Sequence, residues 1–164
     1  MRHEKARSGR RWIVPRAPGA PYDLGMAEII RVNFAEPIPL FPLADSVLLP
    51  HAVQPLHIFE PRYLQMVRHA LEHRSQIAMA VLDREALEAG VVDPAPLRPA
   101  VCVGQIIEHD QFADGRYNIL LHGVCRARIR SIEEPEDARL FRMGHLEPIE
   151  DMTEEHPKLS RTRE

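Results

Sequence analysis

The chain has 164 residues, 45% hydrophobic and 27% charged, the composition of one globular domain with a modest core. No apolar run approaches the roughly 18–20 residues that cross a bilayer, and the charged start lacks the apolar segment of a secretory signal. The net charge of −3 hides an asymmetry: residues 1–25 carry +4, which leaves −7 on the other 139. An acidic body is a poor general nucleic-acid binder, because that binding rests on neutralising phosphates. Two cysteines, Cys102 and Cys125, make neither a disulfide framework nor a zinc spacing, and suit a reduced cytoplasmic setting.

In chain order, residues 1–27 read as a disordered basic arm broken by prolines 15, 18 and 21, with Met26 as an alternative translation start. Residues 28–150 read as the folded domain and 151–164 as a flexible polar tail. Ile38 to Leu43 is the first expected strand. Pro39 and Pro42 limit its hydrogen bonding, and prolines in a strand belong at edges, ends and bulges. A turn at 47–50 leads to a second strand, Val53 to Ile58.

A helix is then expected from Pro61 to near Arg74. Glu60 stands at its N-cap, where a carboxylate suits the free N–H groups, and Pro61 takes the first helical position. Leu64, Val67 and Leu71 give it one apolar face. Residues 76–82 read as a buried strand, and 83–100 as a proline-containing connector with one helical turn at 85–89. Residues 101–112 and 116–124 read as a hairpin across Asp114-Gly115. A further strand at 125–132 follows a bend at Gly123, and a last one spans 140–148. The order predicts a mainly β (α+β) chain: a small antiparallel pseudobarrel of about six to seven strands with one firm helix.

At this point a set of residues resembles a known family. Pro39 to Leu43, Leu49-Pro50, Leu56 to Tyr63 with Met66, Gly104 with Ile106 and Ile107, and Gly123-Val124 followed by Arg126-Ala127-Arg128-Ile129 fall in the order of the N-terminal substrate-binding domain of Lon proteases. The motif Ile58-Phe59-Glu60-Pro61-Arg62-Tyr63 is closer to the standalone, protease-free members. The resemblance covers roughly residues 36–150. It implies a PUA-like fold and a recognition module that captures unfolded or tagged polypeptide. The C-terminal helical part of standalone members is not apparent, and neither is a phosphate loop or a serine–lysine context.

The resemblance and the residues together imply a non-catalytic module that binds unfolded or extended polypeptide or a partner protein. No cofactor, metal or membrane is expected, an oligomer is open, and a link to protein quality control follows from the family. RNA binding by a PUA-like domain is the alternative. The candidate contact residues are Leu48, Leu49, Pro50, Phe59 and Tyr63, lining a groove or framing an open strand edge. Arg126, Arg128 and Arg130 alternate and share a strand face, a basic stripe with Glu108 and Asp110 as expected partners.

Other residues read as structural. His69 and His73 stand four apart on the helix, a metal-capable spacing, but without the H-E-x-x-H arrangement and on the polar face. His51 and His57 flank Gln54-Pro55 with no nucleophile signature beside them. If Asp114 pairs with Gly115, Cys102 faces Ala127 and lies one diagonal step from Cys125.

Overall fold

A computed structural model describes residues 9–14 and 28–150. The elements are β1 (Gly9–Val14), β2 (Glu28–Asn33), β3 (Ile38–Leu43), β4 (Val53–Ile58), α1 (Pro61–Glu72), β5 (Gln76–Val81), α2 (Arg84–Glu88), β6 (Ala100–Gln111), β7 (Tyr117–Glu133) and β8 (Met143–Pro148). Strands β1 and β2 form an antiparallel pair. The others form one sheet in the order β4-β7-β6-β5-β3-β8, and β8 also pairs with β7. That last pairing closes β3, β5, β6, β7 and β8 into a barrel and leaves β4 outside as an edge strand.

Strand β7 makes this arrangement possible through its length of 17 residues. Its residues 117–122 pair with β4, and its residues 127–133 pair with β8. The two strands expected at 116–124 and 125–132 are therefore one strand. The expected bend at Gly123 is a bulge: Val103 pairs with Cys125 and Gly104 with Gly123, so Val124 is the extra residue.

Proline placement explains why the broken run at 38–43 is still a strand. The Leu40 N–H donates to the Arg142 carbonyl at 2.9 Å, so even-numbered N–H groups of β3 point toward β8. Pairing with β8 involves Ile38 and Pro39, and pairing with β5 begins at Leu40. Pro42 thus falls on the β8 side after that ladder has ended. Pro39 falls on the β5 side before that ladder begins. Neither removes a ladder bond. On β4, Gly123 donates to the Ala52 carbonyl at 2.8 Å, so the odd-numbered Pro55 faces the open edge.

Strand alternation sorts the core into two clusters. Ile38, Leu40, Ala78, Ala80, Val101, Val103, Ala127 and Leu146 fill the barrel, with Ile30 and Val32 of β2 packed among them. Gln76 ties β2 to the barrel by donating its amide to the Arg31 carbonyl at 2.8 Å. Phe41, Ile77, Met79, Cys102, Ile106 and Leu121 face outward and are covered by Tyr63, Met66, Val67 and Ala70 of α1. Burying each large side chain of this layer is worth about 1.5–3 kcal/mol. Leu64 and Leu71, expected at the centre of the helix's apolar face, lie at its margin and are partly buried.

Four expectations are corrected here. Ile38–Leu43 is not the first strand, because β1 and β2 precede it, and β1 falls inside the stretch read as a disordered arm. Trp12-Ile13-Val14 and Ile29-Ile30 favour strand, but each run is short and stands among arginines, prolines and glycines. The rest of 1–27 and the expected tail at 151–164 lie outside the described residues.

The other two corrections follow from the hairpin. Its loop holds three residues: Phe112 donates to the Arg116 carbonyl at 2.9 Å, and Gly115 donates to the Phe112 carbonyl at 2.9 Å. Gly115 has φ +89°, the left-handed position of a turn followed by a one-residue bulge. The pairing shifts by one residue from the Asp-Gly reading, so Cys102 faces Arg126 and Cys125 faces Val103. The two thiols therefore lie in different clusters on opposite faces of the sheet and are not neighbours. The same register puts Glu108 beside Leu120 and Asp110 beside Asn118, on the far half of β7 from the arginine stripe they were expected to pair.

Candidate functional site

The loop at 44–52 is held against β7 at one point of close approach. A Cβ on Gly123 would stand 2.1 Å from the Leu49 carbonyl oxygen, so only glycine lets the two backbones meet. His51, in a turn with φ +69°, donates its N–H to the Gly123 carbonyl at 2.9 Å. Side-chain bonds between Gln54 and Ser46 and between Arg84 and Asp45 tie the loop down on either side. Leu48 enters the outer core and is 3% exposed. Leu49, 61% exposed, and Val47 project into solvent.

Beneath this loop lies a groove of about 490 Å³. Met79, Val81 and Cys102 form its floor, Val47, Leu48 and Leu49 overhang it, and Arg84, Arg98 and Arg126 stand around it. Arg84 is paired with Asp45. Among the described residues no carboxylate pairs with Arg98, Arg126 or Arg128, whereas Arg130 meets Glu147 at 3.3 Å. Glu147 of β8 thus takes the place that Glu108 and Asp110 were expected to fill. Burial pushes the Cys102 thiol up to about 12, against a backbone hydrogen bond from Val124 and the charge of Arg126. That thiol is a poor nucleophile.

The five expected contact residues do not form one surface. Leu48 and Leu49 line the groove, and Pro50 sits half-buried in the turn beside it. Phe59 lies past the far end of β4, roughly 20 Å from Leu49 across six strand residues. Phe59 is 61% exposed, at 6.1 Å from the His57 ring. Tyr63 is 8% exposed and packs edge-on against Phe41 at 4.6 Å. Burial raises its pKa, and Arg62 opposes this. Tyr63 is thus a core residue that pins α1 to the barrel.

Near Phe59, His57, Asn118, Arg116 and Asp114 are paired. His57 Nδ1 lies 2.7 Å from Asn118 Oδ1, and its Nε2 lies 3.4 Å from Arg116 Nη1. That pattern fits a neutral ring that donates from Nδ1 and accepts at Nε2. Arg116 also bonds Asp114 at 2.6 Å.

Glu60 occupies the N-cap position, but its carboxylate makes no capping bond. It pairs with Arg62 at 3.0 Å instead, and the Glu60 main-chain carbonyl accepts from Tyr63 and Leu64 at 2.9 Å each. The local ion pair competes with the expected cap. Pro61 stands in the first turn of α1. His69 and His73 stack at 4.2 Å, and His73 Nδ1 lies 2.7 Å from the His69 carbonyl, which uses that nitrogen within the helix. Among the described residues no group of three or more His, Cys, Asp or Glu could hold a metal ion, and no helix is long and apolar enough to cross a membrane.

Arg84 and Arg98 escaped the sequence reading. Both fall in the connector at 83–100. Arg98 is brought to the groove because its N–H pairs with the Val81 carbonyl at 2.8 Å and Leu82 bridges Leu97, extending the sheet into the connector. No local signal marks a non-regular segment that zips onto a strand end.

Comparison with known proteins agrees with this architecture. The model of the "ATP-dependent protease La (LON) substrate-binding domain" matches residues 37–164. Lon protease of Desulfovibrio desulfuricans is 29% identical over 134 residues, 80% of this chain and 14% of that protein. Lon protease of Escherichia coli (strain K12) is 33% identical over 99 residues, 59% of this chain and 12% of that protein. The chain thus spans a small part of the curated relatives it matches. Among solved structures, a Lon N-terminal domain protein from Xanthomonas campestris has a TM-score of 0.55 at 29% identity, covering 70% of this chain and 60% of that one. The N-terminal domain of Mycobacterium avium complex Lon protease has a TM-score of 0.54 at 14% identity, covering 71% and 56%, and shares the fold. The barrel, its long helix α1 and a family match over most of the chain converge: the chain belongs to the Lon substrate-binding domain family.

Proposed function

We propose that this chain is a non-catalytic, PUA-like polypeptide-binding module of the cytoplasm, linked to protein quality control, and that its contact surface is the groove beneath residues 44–50. The observation that carries this reading is the groove itself. It offers an apolar floor and two exposed apolar side chains, Val47 and Leu49, on a loop fixed by Gly123. Its volume of about 490 Å³ falls within the size of small-ligand sites, enough for one or two large side chains of an extended chain.

Strand addition is the weaker route. The open edge of the sheet is β4, and Pro55 removes a donor from its middle. Side-chain capture in the groove needs no free edge. It also needs no nucleotide, because the binding energy comes from apolar burial.

Titration of a fluorescent, permanently unfolded polypeptide into the full chain tests this. Saturable binding in the micromolar range is expected, unchanged by ATP and magnesium and weakened by Leu49→Ser. Absence of binding at high micromolar concentration ends the proposal.

A further inference from the structure

The groove also carries information about what it accepts. Residues paired across two strands share a face, and Cys102 pairs with Arg126 while Ala100 pairs with Arg128. The Ile129 N–H donates to the Pro99 carbonyl at 2.9 Å, which carries the pairing on toward Arg98. One outer face therefore runs from the covered Cys102 through Ala100 to Arg98, flanked by Arg126, Arg128 and Arg130. Near Cys102 this face is roofed by the 44–50 loop. Beyond it the face opens to solvent and only the small Ala100 lies between the arginines.

Of these four guanidinium groups, only Arg130 has an acid among the described residues. Arg98 and Arg126 thus border the apolar floor with Arg128 beside them, none of the three with an acid among the described residues, on a chain whose residues beyond the first 25 carry −7. The cluster stands against the sign of its surroundings. A local field of this kind concentrates carboxylates, and a guanidinium partly shielded by a groove wall holds them better than an exposed one.

Resting on the polypeptide reading above, we infer that the groove selects segments in which an apolar side chain is accompanied by carboxylates. An apolar anchor seated beside Cys102 has Arg126 abreast of it. Arg98 lies four strand positions away, about 13 Å along the face. The preferred segment therefore carries one acid next to the anchor and another about four residues along in extended conformation. Nucleic acid fits less well. It would gain three phosphate contacts at most from these groups, would meet an acidic body, and has no use for the apolar floor.

Three labelled peptides of equal length test this with the full chain. All share one leucine anchor, and the flanking positions hold Glu, Gln or Lys. The Glu peptide is expected to bind about tenfold more tightly than the Gln peptide, with the Lys peptide weakest, the preference shrinking at high salt. R98Q combined with R126Q abolishes the preference, so that the Glu and Gln peptides bind the variant equally. Both positions are exposed, so a thermal melt should show the fold intact. Equal binding of all three peptides, still weakened by Leu49→Ser, overturns the inference and leaves the polypeptide reading standing. Failure of every peptide to bind overturns that reading itself. If the double variant instead releases a structured RNA, or dissociates a dimer in sedimentation, without altering peptide preference, the arginines serve a different partner and the inference is overturned.

Discussion

Strand β4 joins two surfaces that expose apolar side chains to the same degree and differ in the charged groups beside them. Leu49 at one end and Phe59 at the other are each 61% exposed. Near Phe59 two side-chain pairs form: His57 bonds Asn118, and Arg116 bonds Asp114 and lies 5.7 Å from the Phe112 ring. Around Leu49 a groove opens and Arg98 and Arg126 have no acid among the described residues. Exposure alone therefore does not mark a contact surface. The combination that supports the proposed surface is an apolar overhang, a concave floor and arginines with no acid among the described residues.

Mutations that act on one end alone sharpen this contrast. The largest effect is expected from core residues. Leu48→Ala should cost about 2–5 kcal/mol, and Tyr63→Ala about 3–5 kcal/mol, both read from urea midpoints. Polypeptide affinity of the remaining folded protein should fall with Leu48→Ala and hold with Tyr63→Ala. Equal loss in both would break the contrast. Gly123→Ala comes next, at about 1–3 kcal/mol or somewhat more, because the new methyl meets a backbone carbonyl and not a movable side chain. It should also displace the loop and weaken binding.

Exposed residues give a cleaner separation at smaller amplitude. Leu49→Ser and Phe59→Ser should each change stability by no more than about 0.5 kcal/mol. Only Leu49→Ser should lower polypeptide affinity, by about tenfold if the side chain is buried on binding. A larger loss from Phe59→Ser would move the contact surface to the other end of β4.

Much of this architecture was legible because its signals are local. Pro61 after Glu60 announced α1, the apolar run 76–82 announced β5, and Asp114-Gly115 announced the hairpin. Misreadings arose where tertiary partners decide. A Gly at position 115 serves a two-residue or a three-residue loop equally well, and that single choice moved Cys102 from Ala127 to Arg126. The site was half legible for the same reason. Leu48, Leu49 and Arg126 carry pattern cues, but Arg98 reaches the groove through a main-chain bond to Val81 that no local rule foresees. Phe59 and Tyr63 were grouped with the leucines by adjacency in sequence, and a six-residue strand separates them in space.

The smallest expected effect lies on α1, away from both ends of the groove contrast. Burial lowers the pKa of His69 below 6.5, its neighbour His73 and Arg139 push the same way, and Glu72 opposes them. On acidification the unfolded chain takes up this proton before the folded one does. The contribution is therefore fully present above about pH 6.5 and is lost as pH falls through the lowered folded value. A modest drop in the urea midpoint is expected over that window, reduced in His69→Gln. Groove affinity for the Gln peptide should stay flat from pH 8 down through that same window, since arginines keep their charge throughout. A binding curve that follows the stability curve would couple α1 to the groove through the Phe41, Met79 and Cys102 layer, and would make the outer core part of the recognition surface.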